Sequence, residues 1–254
     1  MIRIFPRLED EKLLLLYKKG VEGQWSADEI DWDLPLKLHS EERVALARLL
    51  TPVYLGEQTA MVGASTVIPQ FFSAHETEAQ LYLATFLLDE ARHFETITRF
   101  YQKLDQRPLE MRDLKEMFRY QARLLKSRDR VEWLWGILVS DIFARHFYSL
   151  HLKLFPGSLF AQICARILTD ESRHQAFAEQ YLKKAVGHNA AIRATLVQMR
   201  DELLFLMEVM YQRLKKDAEI LSIDGAHFFA ELGNDLDKKV HKLQLAAPEE
   251  DGEG

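Results

Sequence analysis

Asp89-Glu90-Ala91-Arg92-His93 and Asp170-Glu171-Ser172-Arg173-His174 are two copies of one five-residue pattern, identical at four positions and 81 residues apart. Each copy stands in the middle of a long stretch of helix-forming residues. Glu and His at i and i+3 leave a helix from the same face. A single Glu-x-x-His on a helix is common. Two copies, both at helix centres, are hard to obtain by chance and read as a metal-binding pair. Carboxylate and imidazole together suit iron or manganese. Two such helices, with one more carboxylate from each of two partner helices, build a dinuclear site inside a four-helix bundle.

The chain outside the repeat agrees with long helices. Its 11 glycines and 7 prolines make up about 7% of the residues against a typical ~12%. Neither occurs between Gln70 and Arg107 or between Asn189 and Asp224, and only Gly136 interrupts Leu109 to Phe155. Helices are predicted over about Ser40 (as N-cap) to Phe72, Ser73–Leu104, Leu109–Leu125, Asp129–Leu154, Ser158–Val186, Asn189–Leu221 and Asp224–Leu243. Pro52 and Pro69 predict kinks in the first of these. Ser73-Ala-His-Glu76 has the form of a capping box. The fold class is all-α, a four-helix bundle with additional C-terminal helices. Residues 1–245 read as one domain that opens on an irregular arm, 1–39, and the acidic tail 246–254 reads as disordered.

A formal charge of −6 without a basic stripe excludes nucleic acid as the main partner. No stretch reaches the ~18 apolar residues of a membrane span. The start of the chain does not have the form of a secretory signal. Cys164, the single cysteine, excludes an intrachain disulfide framework. The expected location is the cytoplasm.

The partner carboxylates follow from position. Glu57 is the only acid between Glu42 and Glu76, set among Leu, Val, Ala and Met on a helix that must be buried. A cation would account for it. Glu132 and Asp141 compete for the fourth place. Two antiparallel helices bring residues level when both lie equally far from the turn. The midpoint of Glu57 and Glu90 falls between Ser73 and Ala74, at a predicted joint. That of Asp141 and Glu171 falls on Pro156, also a joint. The midpoint for Glu132 falls inside a helix, leaving it about nine residues, or ~13 Å, out of register. The candidate ligands are therefore Glu57, Glu90, His93, Asp141, Glu171 and His174. Asp170 is placed to accept the second N–H of His93 across the bundle, and Asp89 that of His174. Arg92 and Arg173 would neutralise those aspartates.

With these residues in hand, the chain resembles the ferritin-like superfamily, and within it the ribonucleotide reductase small-subunit-like group. The pattern Glu57…Glu90-x-x-His93…Asp141…Glu171-x-x-His174 carries the likeness. Upstream, Trp25-Ser-Ala-Asp-Glu-Ile-Asp31 is similar to the Trp-x-x-x-Glu-Ile-Asp segment that leads into the bundle in that group. Phe86 to Glu95 and the second repeat copy look closest to the small-subunit-like ligand-binding oxidases. The resemblance implies a non-haem dimetal enzyme, with Fe/Fe or Mn/Fe as cofactor. Such an enzyme activates O2 and oxidises an apolar organic substrate in the bundle core, fed by an electron donor and assembled as a homodimer. The alternatives are a radical-generating small subunit of a reductase complex and a non-catalytic iron-binding bundle. Against the first, the residue one turn after His93 is Ile97, where tyrosyl-radical subunits carry a tyrosine. Against the second stand the length and the two extra helices.

The substrate pocket is expected one or two turns from the ligands, at Met61, Phe86, Ile97, Ile137, Cys164 and Leu168. Their apolar character suits an apolar substrate. Arg145 is read as an ion-pair partner of a bundle acid or an anchor for an acidic head group. Trp25 is read as a redox residue or as a hydrophobic anchor for the arm.

Overall fold

The computed structural model describes residues 8–110, 112–127, 129–187 and 189–245. The expected disorder of 246–254 lies outside them. Among the described residues, eight helices run in the order α1 (Glu11–Glu22), α2 (Ser40–Ser73), α3 (Thr77–Leu104), α4 (Lys115–Leu125), α5 (Arg130–Leu154), α6 (Leu159–Ala185), α7 (Ala190–Ile220) and α8 (Gly225–Lys242), with a 3-10 turn at Ala27–Glu29. No strand occurs among the described residues.

The bundle is α2, α3, α5 and α6, paired as two antiparallel hairpins, α2 with α3 and α5 with α6. Their joints lie at 74–76 and 155–158, where the midpoints of the proposed ligands fall. Gly157 turns the second joint with a φ of 70°, a left-handed conformation that costs glycine little. α7 lies across α2, α4 and α5, and α8 across α5 and α7.

Several local expectations are corrected. The arm is not irregular throughout: α1 packs on α3 and α6. It buries Leu13 and Gly20. A Cβ on Gly20 would stand 2.6 Å from Thr85 Oγ1, so glycine sets this close approach. The cap of α2 is His39, not Ser40, and the His39 backbone N–H donates to Glu42 Oε2 at 2.7 Å. The Ser73–Glu76 capping box does not form. Ser73 is the last residue of α2, its hydroxyl donates to the Pro69 carbonyl, and Glu76 stands at the N-cap position of α3 without a side-chain cap bond. The third predicted helix starts at Lys115 rather than Leu109. α2 is assigned as helix through both Pro52 and Pro69.

Each bundle helix carries its repeat or ligand segment between two apolar clusters. One cluster holds Ala60, Phe71, Tyr82, Phe86, Trp133, Leu138 and Phe177. The other holds Leu46, Leu50, Ile97, Phe100, Tyr148, Phe160, Cys164 and Ile167. The polar centre is thus plugged at both ends. Gly63 sets the α2–α5 distance, since a Cβ there would meet Trp133 Nε1 at 2.1 Å, and Trp133 is fully buried. Gly56, one residue before Glu57, has nothing within 4 Å of its would-be Cβ. Gly63→Ala is therefore expected to destabilise by roughly 1–3 kcal/mol through overpacking. Gly56→Ala should be neutral or stabilise by about 0.5–1 kcal/mol. Denaturant unfolding of the two variants checks the contrast.

Candidate metal centre

The two repeat copies meet across the α3–α6 contact. Asp89, Asp170 and His93 are wholly buried, and Glu90, Glu171, His174, Arg92 and Arg173 nearly so. The aspartates exchange partners as expected. Asp170 Oδ2 faces His93 Nε2 at 3.1 Å, and Asp89 Oδ2 faces His174 Nε2 at 3.2 Å. A carboxylate can only accept, so each Nε2 carries a proton, and each Nδ1 turns inward toward the other carboxylates. The arginines are buried as well. Arg92 Nη2 donates to Asp89 Oδ1 at 2.7 Å and to Asp170 Oδ2 at 2.8 Å. Arg173 Nη2 donates to Asp170 Oδ1 at 2.9 Å and to Asp89 Oδ2. Two positive and two negative charges alternate around a closed ring.

The arm completes this ring. Trp25 Nε1 donates to Asp170 Oδ2 at 2.8 Å, and the Arg92 guanidinium lies over the Trp25 ring at 4.6 Å. Gln24 donates to Asp89 Oδ1 at 2.9 Å and accepts from Arg92 at 2.5 Å. Gln24 escaped the sequence reading, because nothing in the repeat or in helical periodicity marks it.

Inside the ring, the ligand atoms fall into two sets. One atom each from Glu57, Glu90, His93 and Glu171, and likewise from Asp141, Glu171 and His174, lie within 4.8 Å of one another. Glu171 belongs to both. His93 Nδ1 is 3.4 Å from Glu57 Oε2, and His174 Nδ1 is 3.2 Å from Glu90 Oε1. His93 Nδ1, His174 Nδ1, Glu171 Oε2 and Asp141 Oδ2 are buried with no hydrogen-bond partner. Buried polar atoms are nearly always paired, so orphans in each of the two sets fit bound cations. Glu132 lies elsewhere, 2.7 Å from Arg123. Asp141 therefore joins the cluster and Glu132 does not. Two further partners were not expected: Tyr148 Oη donates to Glu57 Oε1 at 2.8 Å, and Gln175 Nε2 to the Asp141 carbonyl at 3.1 Å.

The electrostatics follow from this crowding. Burial and repulsion from neighbouring carboxylates, Glu57 foremost for Glu90 and Asp141, push Glu90, Asp141 and Glu171 well above the usual carboxylate range. Burial pulls His93 down, but the Asp170 and Glu57 carboxylates outweigh it and lift the ring to about 9. Burial holds His174 below its ordinary value. A divalent pair would displace those protons and relieve the repulsion.

A cavity of about 50 Å³ touches Glu57, Glu90, Asp141 and Glu171, and its other walls include Gly56, Ile137, Met117, Tyr120, Met207 and Met210. Of the six expected pocket residues, Ile137 lines it. Phe86 instead packs against the His174 ring at a tilt of 56°, with centroids 4.6 Å apart. Ile97, Cys164 and Leu168 pack in the apolar cluster around Phe100 and Phe160, and Met61 is half-buried. Arg145 and His146 both pair with Asp235 of α8, at 2.6 and 3.0 Å, away from the cluster.

The ion ring makes a testable contribution to stability. Burial would raise the Asp89 carboxyl, but His174 and Arg173 hold it down at about 2. A depressed carboxyl stabilises the fold above its unfolded pKa of ~3.9 and loses that effect as pH falls through its folded value. Asp89→Asn is expected to cost about 2–3 kcal/mol at pH 7. Its gap to the parent should close between about pH 4 and pH 2, read from denaturant unfolding across that range.

No family model and no curated protein matches the chain by sequence. Solved structures match over nearly its whole length. An R2-like ligand-binding oxidase with an aerobically reconstituted Mn/Fe cofactor is 18% identical at a TM-score of 0.78, covering 94% of this chain and 93% of that one. A single-residue variant of an R2-like ligand-binding oxidase with an aerobically reconstituted Fe/Fe cofactor is 18% identical at 0.77, covering 94% of each chain. Another variant, with an anaerobically reconstituted Mn/Fe cofactor, is 18% identical at 0.81, covering 93% of this chain and 95% of that one. At such identity the likeness speaks for the fold alone: the chain has the ferritin-like helical fold seen in these oxidases.

Proposed function

We propose that this chain is a non-haem dimetal-carboxylate oxidoreductase that uses O2 to oxidise an apolar organic substrate in the bundle core. The observation that carries the reading is the set of four buried, unpartnered ligand atoms shared between two adjoining ligand groups, backed by a charge ring that turns both histidines toward them. Glu57, Glu90, His93 and Glu171 would hold one ion, and Asp141, Glu171 and His174 the other, with Glu171 belonging to both groups. Fe/Fe and Mn/Fe both suit this donor set. They are also the pairs carried by the similar oxidases. Such a pair supplies the electrons that reduce O2.

The chain's own residues do the rest. Asp170 and Asp89 fix the tautomer and ring angle of His93 and His174. The apolar clusters on either side exclude water, which protects a reactive site from side reactions. Tyr148 keeps a hydrogen bond on Glu57 Oε1, leaving Oε2 toward the cluster. The cavity admits a few water-sized molecules as it stands. The unbranched side chains of Met117, Met207 and Met210 can shift to take an apolar substrate. A homodimer and a separate electron donor complete the reading.

Purified protein loaded with Fe or Mn is expected to hold two ions per chain by elemental analysis, and mixing the anaerobically reduced protein with O2 should change its absorption spectrum. His93→Ala and Asp141→Ala should lose metal, while Glu132→Ala keeps it. Asp170→Asn should weaken metal affinity roughly 10–100-fold. Fewer than about one ion per chain, unchanged in His93→Ala, overturns the assignment.

A further inference from the structure

Tyr82 on α3 and Phe177 on α6 stack face to face, with ring centroids 3.8 Å apart and planes within 7°. Phe177 stacks in turn on Tyr181, one turn further along α6, at 6.2 Å and 21°. The stack begins one turn past His174 and two turns before Glu90. It ends where Tyr181 Oη donates to Glu76 Oε2 at 2.7 Å and accepts from Arg130 Nε at 2.7 Å. Tyr82 and Phe177 are fully buried. Glu76 and Arg130 reach solvent, at 33% and 26% exposure. A continuous aromatic column thus joins the neighbourhood of the carboxylate cluster to water.

Which ring can hold a positive hole is decided by protons. A phenol gives up an electron readily only if its proton leaves at the same time, because the oxidised phenol is a strong acid. Tyr82 Oη is buried with no acceptor. Tyr54, Tyr101 and Tyr120 meet neutral oxygens, on Thr98, Ala47 and Ser140. Among the described residues, the phenols bonded to a carboxylate are Tyr148, on Glu57, and Tyr181, on Glu76. Glu57 already faces the cluster. Glu76 does not: it is held by Arg130, with both Nε and Nη2 at 3.0 Å, and touches solvent.

We propose that the Tyr82–Phe177–Tyr181 column is a hole-transfer route that discharges the dimetal site to the end of the bundle, with Tyr181 as its terminus. This rests on the oxidase reading above. One electron passes from Tyr181 through Phe177 and Tyr82 to the oxidised metal pair, which gains that electron. The Tyr181 O–H bond breaks, its proton moves 2.7 Å to Glu76 Oε2, and a neutral tyrosyl radical remains. A one-electron reductant from solution then returns the electron, and Glu76 returns the proton. Neutralising Glu76 leaves Arg130 without its counter-charge, which favours that return. Tyr82, lacking an acceptor, relays the electron without storing the hole. The route lets the site shed oxidising equivalents without opening the apolar plugs that keep it dry.

The test mixes reduced, Fe-loaded protein with O2 and freezes samples at intervals for electron paramagnetic resonance, using protein made with ring-deuterated tyrosine, while absorbance follows the metals. The expected result is a tyrosyl signal that narrows on deuteration, survives in Tyr54→Phe and is absent in Tyr181→Phe. In Glu76→Gln it should form about tenfold more slowly. Tyr181→Phe removes one hydroxyl, and a thermal melt confirms that it is folded. Oxidation of the metals with no tyrosyl signal overturns the route and leaves the oxidase reading standing. So does a signal undiminished in Tyr181→Phe. No response of the metals to O2 overturns the oxidase reading, and the route falls with it.

Discussion

Four charges buried between α3 and α6 organise this protein. Each of Arg92 and Arg173 touches both Asp89 and Asp170. The ring is neutral overall, and every member has two opposite neighbours, which is the condition under which buried ions are tolerable. Its geometry fixes the separation of the two repeat helices, and through the outer oxygens it fixes both imidazoles. Were one aspartate missing, two guanidiniums would share a single carboxylate in a dry interior and one histidine would lose its orientation. The positions of Glu90 and Glu171 follow, since each is the next residue along its helix.

The clusters above and below the ring set its energetics. Apolar side chains from all four bundle helices cap the polar layer on both sides. Bulk water is kept from Glu57, Glu90, Asp141 and Glu171 except at the small cavity they line, so their mutual repulsion is felt at reduced dielectric. The fold therefore concentrates acids where they are least stable alone, and cation binding is the event that relieves them. Tight helix approach makes this layering feasible. Gly63 admits Trp133, and Gly20 brings α1 onto α3.

Much of this was legible from residues alone, for identifiable reasons. The repeat is a spacing signal, and helix periodicity turns spacing into direction. That was enough to pair Asp170 with His93 and Asp89 with His174. Register about the two joints was enough to separate Asp141 from Glu132. What sequence did not disclose depends on tertiary placement. Helix α1 escaped because its short amphipathic run stands in a segment read through its tryptophans. Gln24 and Gln175 carry no local pattern. The pocket expectations placed the cavity along the ligand faces, yet its far wall comes from α4 and α7, whose approach no helical spacing encodes. The caps went wrong for a similar reason: Ser73 spends its hydroxyl on the last turn of α2 instead of opening α3.

The arm has one more consequence. The repeat taken alone would build two equivalent halves, related by an approximate two-fold axis through the ring. Trp25 bonds only to Asp170, behind His93, and Gln24 engages Asp89 and Arg92 from the same side. Glu57 stands in one half and the shorter Asp141 in the other. The two imidazoles consequently differ in basicity, His93 lifted and His174 lowered. A duplicated motif has thus been made asymmetric in its chemistry: the two seats have different electron richness and different reach, so exchanging two unlike occupants between them would not give the same complex.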